Sequence, residues 1–265
     1  MTENKVEIHG MSAVDMDQLR NYSEMKDKMI LQVMPVKGNE ERLDGVPHQR
    51  MEDLAVVCRA MIGGNAEGEM SFLVTDPVMQ EYGVSKEELF STAAGNMDYS
   101  IRPLFSVLAE LEPDLADETI APPDDMLFVV TNKQNVYGAG AIADPAFTEK
   151  AGKMMRGDYF ILPSSIHEVL LLRDDGNMDY RALEAMVREI NATQVAPEER
   201  LSDQVYHYDV AERVLETGKH YSERQAEKEM SGRSAVLNDL EEGKKQVQQY
   251  QPKQAASPER GGLVI

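Results

Sequence analysis

Apolar and polar positions along this chain alternate in two rhythms, one of period two and one near period 3.6, and their order predicts a mixture of strands and helices. Residues 5–9 read as a short strand and residues 15–28 as a polar, methionine-containing helical stretch. Residues 29–36, MILQVMPV, read as a strand ended by Pro35 and Gly38, followed by a loop over residues 39–48. Met51, Leu54, Ala55, Cys58, Met61 and Ile62 fall at i, i+3, i+4, i+7 spacing, which predicts a helix with one buried face, stopped by Gly63-Gly64. Residues 70–75 read as a strand, and Asp76-Pro77 opens a short helix, with proline at a tolerated first-turn position. Ser85-Lys86-Glu87-Glu88 is a capping box that starts a helix running to about Gly95. A stripe of Leu104, Phe105, Val107, Leu108 and Leu111 follows Pro103, and the acidic stretch 113–125, with Pro122-Pro123, reads as a connector.

The most ordered pattern lies between Met126 and Leu172. Residues 127–130 form an apolar strand, Asn132-Lys133-Gln134-Asn135 a turn, and residues 136–142 a return strand in which Gly138 and Gly140 permit a bulge or close backbone approach. Asp144-Pro145 caps a helix buried through Phe147, Ala151, Met154 and Met155 and ended by Gly157. Residues 159–162 and 166–172 are strands around the break Pro163-Ser164-Ser165. A turn at residues 174–177, a helix striped by Leu183, Met186, Val187 and Ile190, and a hairpin pairing residues 205–208 with 214–215 complete the body. The pattern predicts an α+β fold, a mixed or antiparallel sheet with packed helices, over residues 1–221. A marginal helix over 222–250, with the sparse stripe Met230, Leu237, Leu240 and Val247, and a disordered tail over 251–265 follow it.

Composition changes this picture in three ways. An apolar fraction of 42% lies a little under the usual range of roughly 45–50%, so a core is expected over the body and not the whole length. No apolar run approaches the ~18 residues of a membrane span, and the N-terminus shows no basic-then-apolar signal pattern. A single cysteine, Cys58, precludes an internal disulfide and suits a reducing compartment, so a cytoplasmic protein is expected, with Cys58 an inert core thiol. The net charge of −20 is confined to residues 1–221, because from Ser222 onward seven acids balance seven bases. An acidic body disfavours direct nucleic-acid binding, which requires phosphate neutralisation by Lys and Arg. It permits a basic protein partner, including mimicry of DNA, beside the plainer role of solubility.

One concentrated polar cluster stands at a strand junction: Pro163-Ser164-Ser165-Ile166-His167-Glu168. A zinc-protease motif would need a second histidine where Leu171 stands. Ser164, Ser165, His167 and Glu168 supply the residue types of a nucleophile–base–carboxylate set, without a Gly-x-Ser-x-Gly elbow; serines after a proline at a strand break also commonly satisfy backbone groups. Asp174, Asp175, Asn177 and Asp179 lack calcium-loop spacing, and the Gly138–Ala141 run lacks a phosphate-loop ending. His48 and His207 are isolated, so neither a metal nor a cofactor is expected. The candidate binding surface comprises Asn132, Ser164, Ser165, His167, Glu168, Asn191, Thr193 and Gln194, on the expectation that the polar end of the last body helix lies beside the Ser165–His167 junction.

Four segments, LDGVPHQRMEDLAVV (residues 43–57), TNKQNVYGAGAI (131–142), YFILPSSIHEVLLL (159–172) and REINATQVAPEERLSDQVYHYD (188–209), occur in an order and spacing that resemble an uncharacterised bacterial family, a domain of unknown function found on mobile elements of gut anaerobes. The resemblance implies an accessory protein of mobile DNA and carries no established activity, cofactor or catalytic residue. Taken with the acidic body, it leads to the expectation of a non-enzymatic protein-binding or regulatory module, with a role in counter-defence among its forms. The alternative is a hydrolase or transferase using the Ser/His/Glu cluster around residues 164–168.

Overall fold

The computed structural model describes residues 5–6, 14–65, 68–111, 126–163 and 165–249, and shows an α+β fold. Two compact units make up the chain, residues 1–220 and 221–265. The first opens with β1 (Lys5–Val6) paired to β2 (Val14–Asp15), then α1 (Met16–Leu19), α2 (Tyr22–Met25) and β3 (Met29–Pro35). The 39–48 loop contains a single helical turn, α3 (Glu40–Leu43). β4 (His48–Met51), β5 (Leu54–Asn65) and β6 (Gly68–Leu73) complete a four-stranded antiparallel sheet in which β5 pairs with β3 on one side and with β4 and then β6 on the other.

This sheet corrects the expected helix over residues 51–62. The apolar positions there satisfy helical spacing only because every residue from Leu54 to Ala60 is buried. β5 is a central strand covered on both faces: Leu54, Val56, Cys58 and Ala60 face the main core, while Ala55 and Val57 face a second cluster with Met34, Leu43 and Val46. A strand buried on both sides reads as a continuous apolar run, from which period alone cannot separate it from a helix. Gly63-Gly64 does not end it, but accompanies a shift of register between Met61 and Gly63.

α4 (Asp76–Tyr82) and α5 (Lys86–Gly95) begin where Pro77 and the capping box place them, with the Ser85 side chain accepting the Glu88 N–H. β7 (Tyr99–Pro103), not foreseen from the sequence, precedes α6 (Leu104–Leu111) and pairs with β8 (Leu127–Asn132). The expected connector over 113–125 lies outside the described residues. After β8 the expected return strand over 136–142 is instead a 3₁₀ helix, Gly138–Ala143. A Gly-Ala-Gly-Ala run offers a ladder no β-branched side chains, and its glycines allow contacts that a strand would not. A Cβ at Gly140 would lie 2.3 Å from the Leu31 carbonyl oxygen, so the 3₁₀ helix lies directly on the backbone of β3.

α7 (Pro145–Met155), β9 (Tyr159–Leu162), β10 (Val169–Arg173), α8 (Tyr180–Gln194), β11 (Tyr206–Asp209) and β12 (Val214–Thr217) follow. The second sheet is six-stranded and antiparallel at every pairing, in the order β12-β11-β9-β10-β8-β7. Its inner face, with Val130, Tyr159, Ile161, Leu171 and Tyr206, shares the main core with the first sheet. Its outer face packs Phe160, Leu162 and Val205 against Val187 of α8. α9 (Gly218–Gln249) starts in the first unit and supplies all of the described part of the second, where Met230, Val236, Leu237 and Leu240 are exposed. The tail over 251–265 lies outside the described residues. Among those residues no helix is long and apolar enough to cross a membrane.

Candidate functional site

The break between β9 and β10 builds the site from local chemistry. Ser165 is buried, and its hydroxyl oxygen accepts the N–H groups of His167 (3.0 Å) and Glu168 (3.2 Å), closing a tight turn. Ser164 lies outside the described residues. That turn lifts His167 over the loop after β8. There the Tyr137 N–H donates to His167 Nδ1 at 3.2 Å, and the Thr131 hydroxyl donates to the His167 carbonyl at 3.0 Å. Gly138 allows this approach, since a Cβ there would lie 2.6 Å from both the His167 carbonyl oxygen and the Thr131 Cα. Asn132 organises the same loop, its Oδ1 accepting from the Gln134 and Val136 N–H groups and its Nδ2 donating to the Val136 carbonyl. Tyr137 sits at φ 57°, in the left-handed region unfavourable for a bulky residue, so the surrounding contacts hold it there.

From Tyr137 the network runs two ways. Outward, its ring lies 5.6 Å from the His167 ring, whose Nε2 is 3.6 Å from the Glu199 carboxylate. Inward, the Arg59 guanidinium lies over the same ring, 4.7 Å from its centroid. Glu199 belongs to the loop after α8, which is joined to the junction by the Ile166 N–H donating to the Glu199 carbonyl (2.9 Å) and by a bridge between Ser165 and Arg200. Arg200 then reaches back to the end of α8, donating to the Val195 carbonyl at 3.0 Å, a cation where the helix dipole favours one. Further along, Ser202 and Tyr206 donate to Asp53 in the β4–β5 turn.

The eight residues named from the sequence divide accordingly. Asn132, Ser165 and Asn191 are buried and hold the chain itself; Asn191 is 1% exposed, its Nδ2 donating to the Ser202 carbonyl and the Asp203 carboxylate. Glu168, Thr193 and Gln194 are exposed, and His167 is partly so. The end of α8 does adjoin the Ser165 junction, through Arg200. Sequence reasoning passed over Tyr137, Glu199, Arg200, Arg59 and Asp53. Arg59 alone left a signal, as a cation inside the apolar run VVCRAMI.

The chemistry open to this cluster follows from its donors. With Nδ1 accepting a backbone N–H, the neutral His167 ring carries its proton on Nε2, beside Glu199, and has no lone pair left with which to take a proton from a nucleophile. Among the described residues no three His, Cys, Asp or Glu side chains are grouped to hold a metal ion.

An α+β body of two large antiparallel sheets and a two-stranded one, with a polar junction where loops of the large sheets meet, is the class these observations define. The chain belongs to a family of unknown function, DUF5688, whose model matches residues 2–210. That match covers the four-stranded sheet, every strand of the six-stranded sheet except β12, and the segments that meet at the junction. No curated protein and no solved structure is detectably similar to it.

Proposed function

We propose that this protein is a non-enzymatic binding or regulatory module whose acidic body engages a basic protein partner, as an accessory of a mobile genetic element in a bacterial cytoplasm. The observation that carries the reading is the rim of the junction. Glu168, Glu198 and Asp203 are exposed on the segments that carry His167 and Glu199, while the Arg200 guanidinium is turned to the α8 carbonyls. An exposed group of carboxylates presents a negative field to an incoming Lys- or Arg-rich surface and speeds its encounter. The mobile-element setting and a counter-defence role rest on the resemblance in sequence alone.

The alternative, a hydrolase or transferase, draws support from the 3.6 Å approach of Glu199 to His167 at a partly open surface. Affinity capture from a native host separates the two. A basic protein retained by wild type and by His167→Ala, and released by Glu168→Lys/Glu199→Lys or by high salt, supports the binding module. A bound or processed small molecule that disappears only in His167→Ala would move the assignment to the enzyme.

A further inference from the structure

A cavity of about 280 Å³ opens where the β4–β5 pair of one sheet meets α7 and the β11–β12 hairpin of the other. Its lining is amphipathic. Ile142, near the end of the 3₁₀ helix, and Leu215 of β12 supply apolar surface. Tyr208 of β11, whose ring lies 5.3 Å from that of Tyr159, adds a phenol. Among the described residues the charged ones in the lining are Arg50, Arg213 and Glu149. Two cations thus face one carboxylate, in a chain whose net charge is −20.

The fold makes little use of either arginine. Arg50 is exposed, and its Nη2 donates to the Glu52 carbonyl at 3.4 Å, near the limit of a hydrogen bond. The Arg213 side chain is 71% exposed and 3.7 Å from Glu149, which Lys153 holds more closely, at 3.0 Å. An exposed ion pair of that length contributes little to stability, so the Arg213 guanidinium is free to turn to a better acceptor. Its backbone is also costly. Arg213 stands at φ 57°, in the left-handed region that glycine and asparagine adopt more readily, and such strain gathers at ligand sites. Guanidinium groups match carboxylates in bidentate geometry, and ligand pockets commonly join an apolar wall to a few such orienting groups.

We propose that this cavity binds a small organic carboxylate with an apolar body, its charged end taken by Arg50 and Arg213 and its body laid against Ile142 and Leu215. The inference is independent of the protein-binding reading, since the cavity shares no residue with the 165–168 junction. The test is titration of the full chain with sodium hexanoate, followed by nitrogen-15 NMR at ionic strength held constant with sodium chloride. The amide signals of Arg213 and Leu215 should shift and saturate, which gives a Kd. Arg50→Gln and Arg213→Gly should each fold, because both side chains are exposed and glycine suits the left-handed position, and the spectra report this directly. Each should bind hexanoate at least about tenfold more weakly, the loss of one charge-assisted hydrogen bond. Arg102→Gln, at an exposed ion pair outside the cavity, should bind like wild type. Acetate and inorganic phosphate, which lack the apolar body, should bind at least about tenfold more weakly than hexanoate. No saturable shift at these residues, unchanged binding in both arginine variants, or phosphate or acetate matching hexanoate overturns the proposal.

Discussion

The β4–β5 turn reaches across to the second sheet through one carboxylate. Asp53 accepts from the Ser202 hydroxyl at 2.8 Å and the Tyr206 hydroxyl at 2.5 Å, and Tyr206 is completely buried. Hydrogen bonds to a charged group contribute about 1.5–3 kcal/mol each, and because Asp53 is only half-buried the lower end applies. Tyr206→Phe removes one bond and almost no volume, for an expected loss of about 1.5 kcal/mol. Asp53→Ala removes both acceptor oxygens and leaves the buried phenol with only the Ser202 hydroxyl beside it, for a loss of about 3 kcal/mol. The double variant should lose little more than Asp53→Ala alone, because the phenol is no longer stranded. The pair therefore carries a coupling of about 1 kcal/mol or more. Urea unfolding of the four proteins, read as midpoints at constant slope, measures each term. For a unit of this size Asp53→Ala should also lower Tm by roughly 6–12 °C. Losses that add within about 0.5 kcal/mol would falsify the reasoning, since they would mean the two side chains act independently.

Four further outcomes are expected. Burial pushes the Cys58 thiol up to about 12, so at pH 8 it should resist a thiol reagent in the native protein and react fully in denaturant; native labelling at a free-thiol rate would refute the burial. His207 is held below its ordinary pKa by burial, against the opposing pull of Asp174 at 3.1 Å. The unfolded chain therefore binds that proton more readily, so stability should fall as pH drops through about 6.5, and His207→Gln should flatten that slope. Nitrogen-15 NMR of His167 at pH 8 should find Nδ1 unprotonated and Nε2 protonated; the reverse tautomer would reopen its use as a base. Gly140→Ala has no room against the Leu31 backbone and should lower the unfolding midpoint sharply, whereas Gly95→Ala, which meets nothing within 4 Å, should not.

How much was legible in the sequence depended on whether the signal was local. The Ser85 capping box, the Asp144 cap before Pro145 and the β11–β12 hairpin all appear as read, because each is decided by neighbours a few residues away. β5 was misread because burial on both faces erases its period, and the 3₁₀ helix because the partners that require Gly138 and Gly140 lie in β3, β8 and the 165–168 turn. At the site, the neighbourhood of Ser165, His167 and the end of α8 was visible as a concentration of polar residues. The roles of those residues were not. Whether a serine hydroxyl attacks a substrate or receives a backbone N–H depends on atoms that no spacing rule supplies. Tyr137, Glu199 and Asp53 looked like ordinary surface residues because their partners are 30, 32 and more than 140 positions away.

The placement of the 3₁₀ helix on β3 has a consequence beyond packing. Among the described strands β3 pairs only with β5, so its other side would present a row of open N–H and C=O groups seven residues long. Such a rim is a template for a stray strand from another molecule. Gly140, with no side chain to hold the backbones apart, brings the helix down onto that rim. The same short segment that carries Tyr137 to its place thus also works as an anti-aggregation guard, and a chain that folds with this segment displaced is expected to assemble through β3.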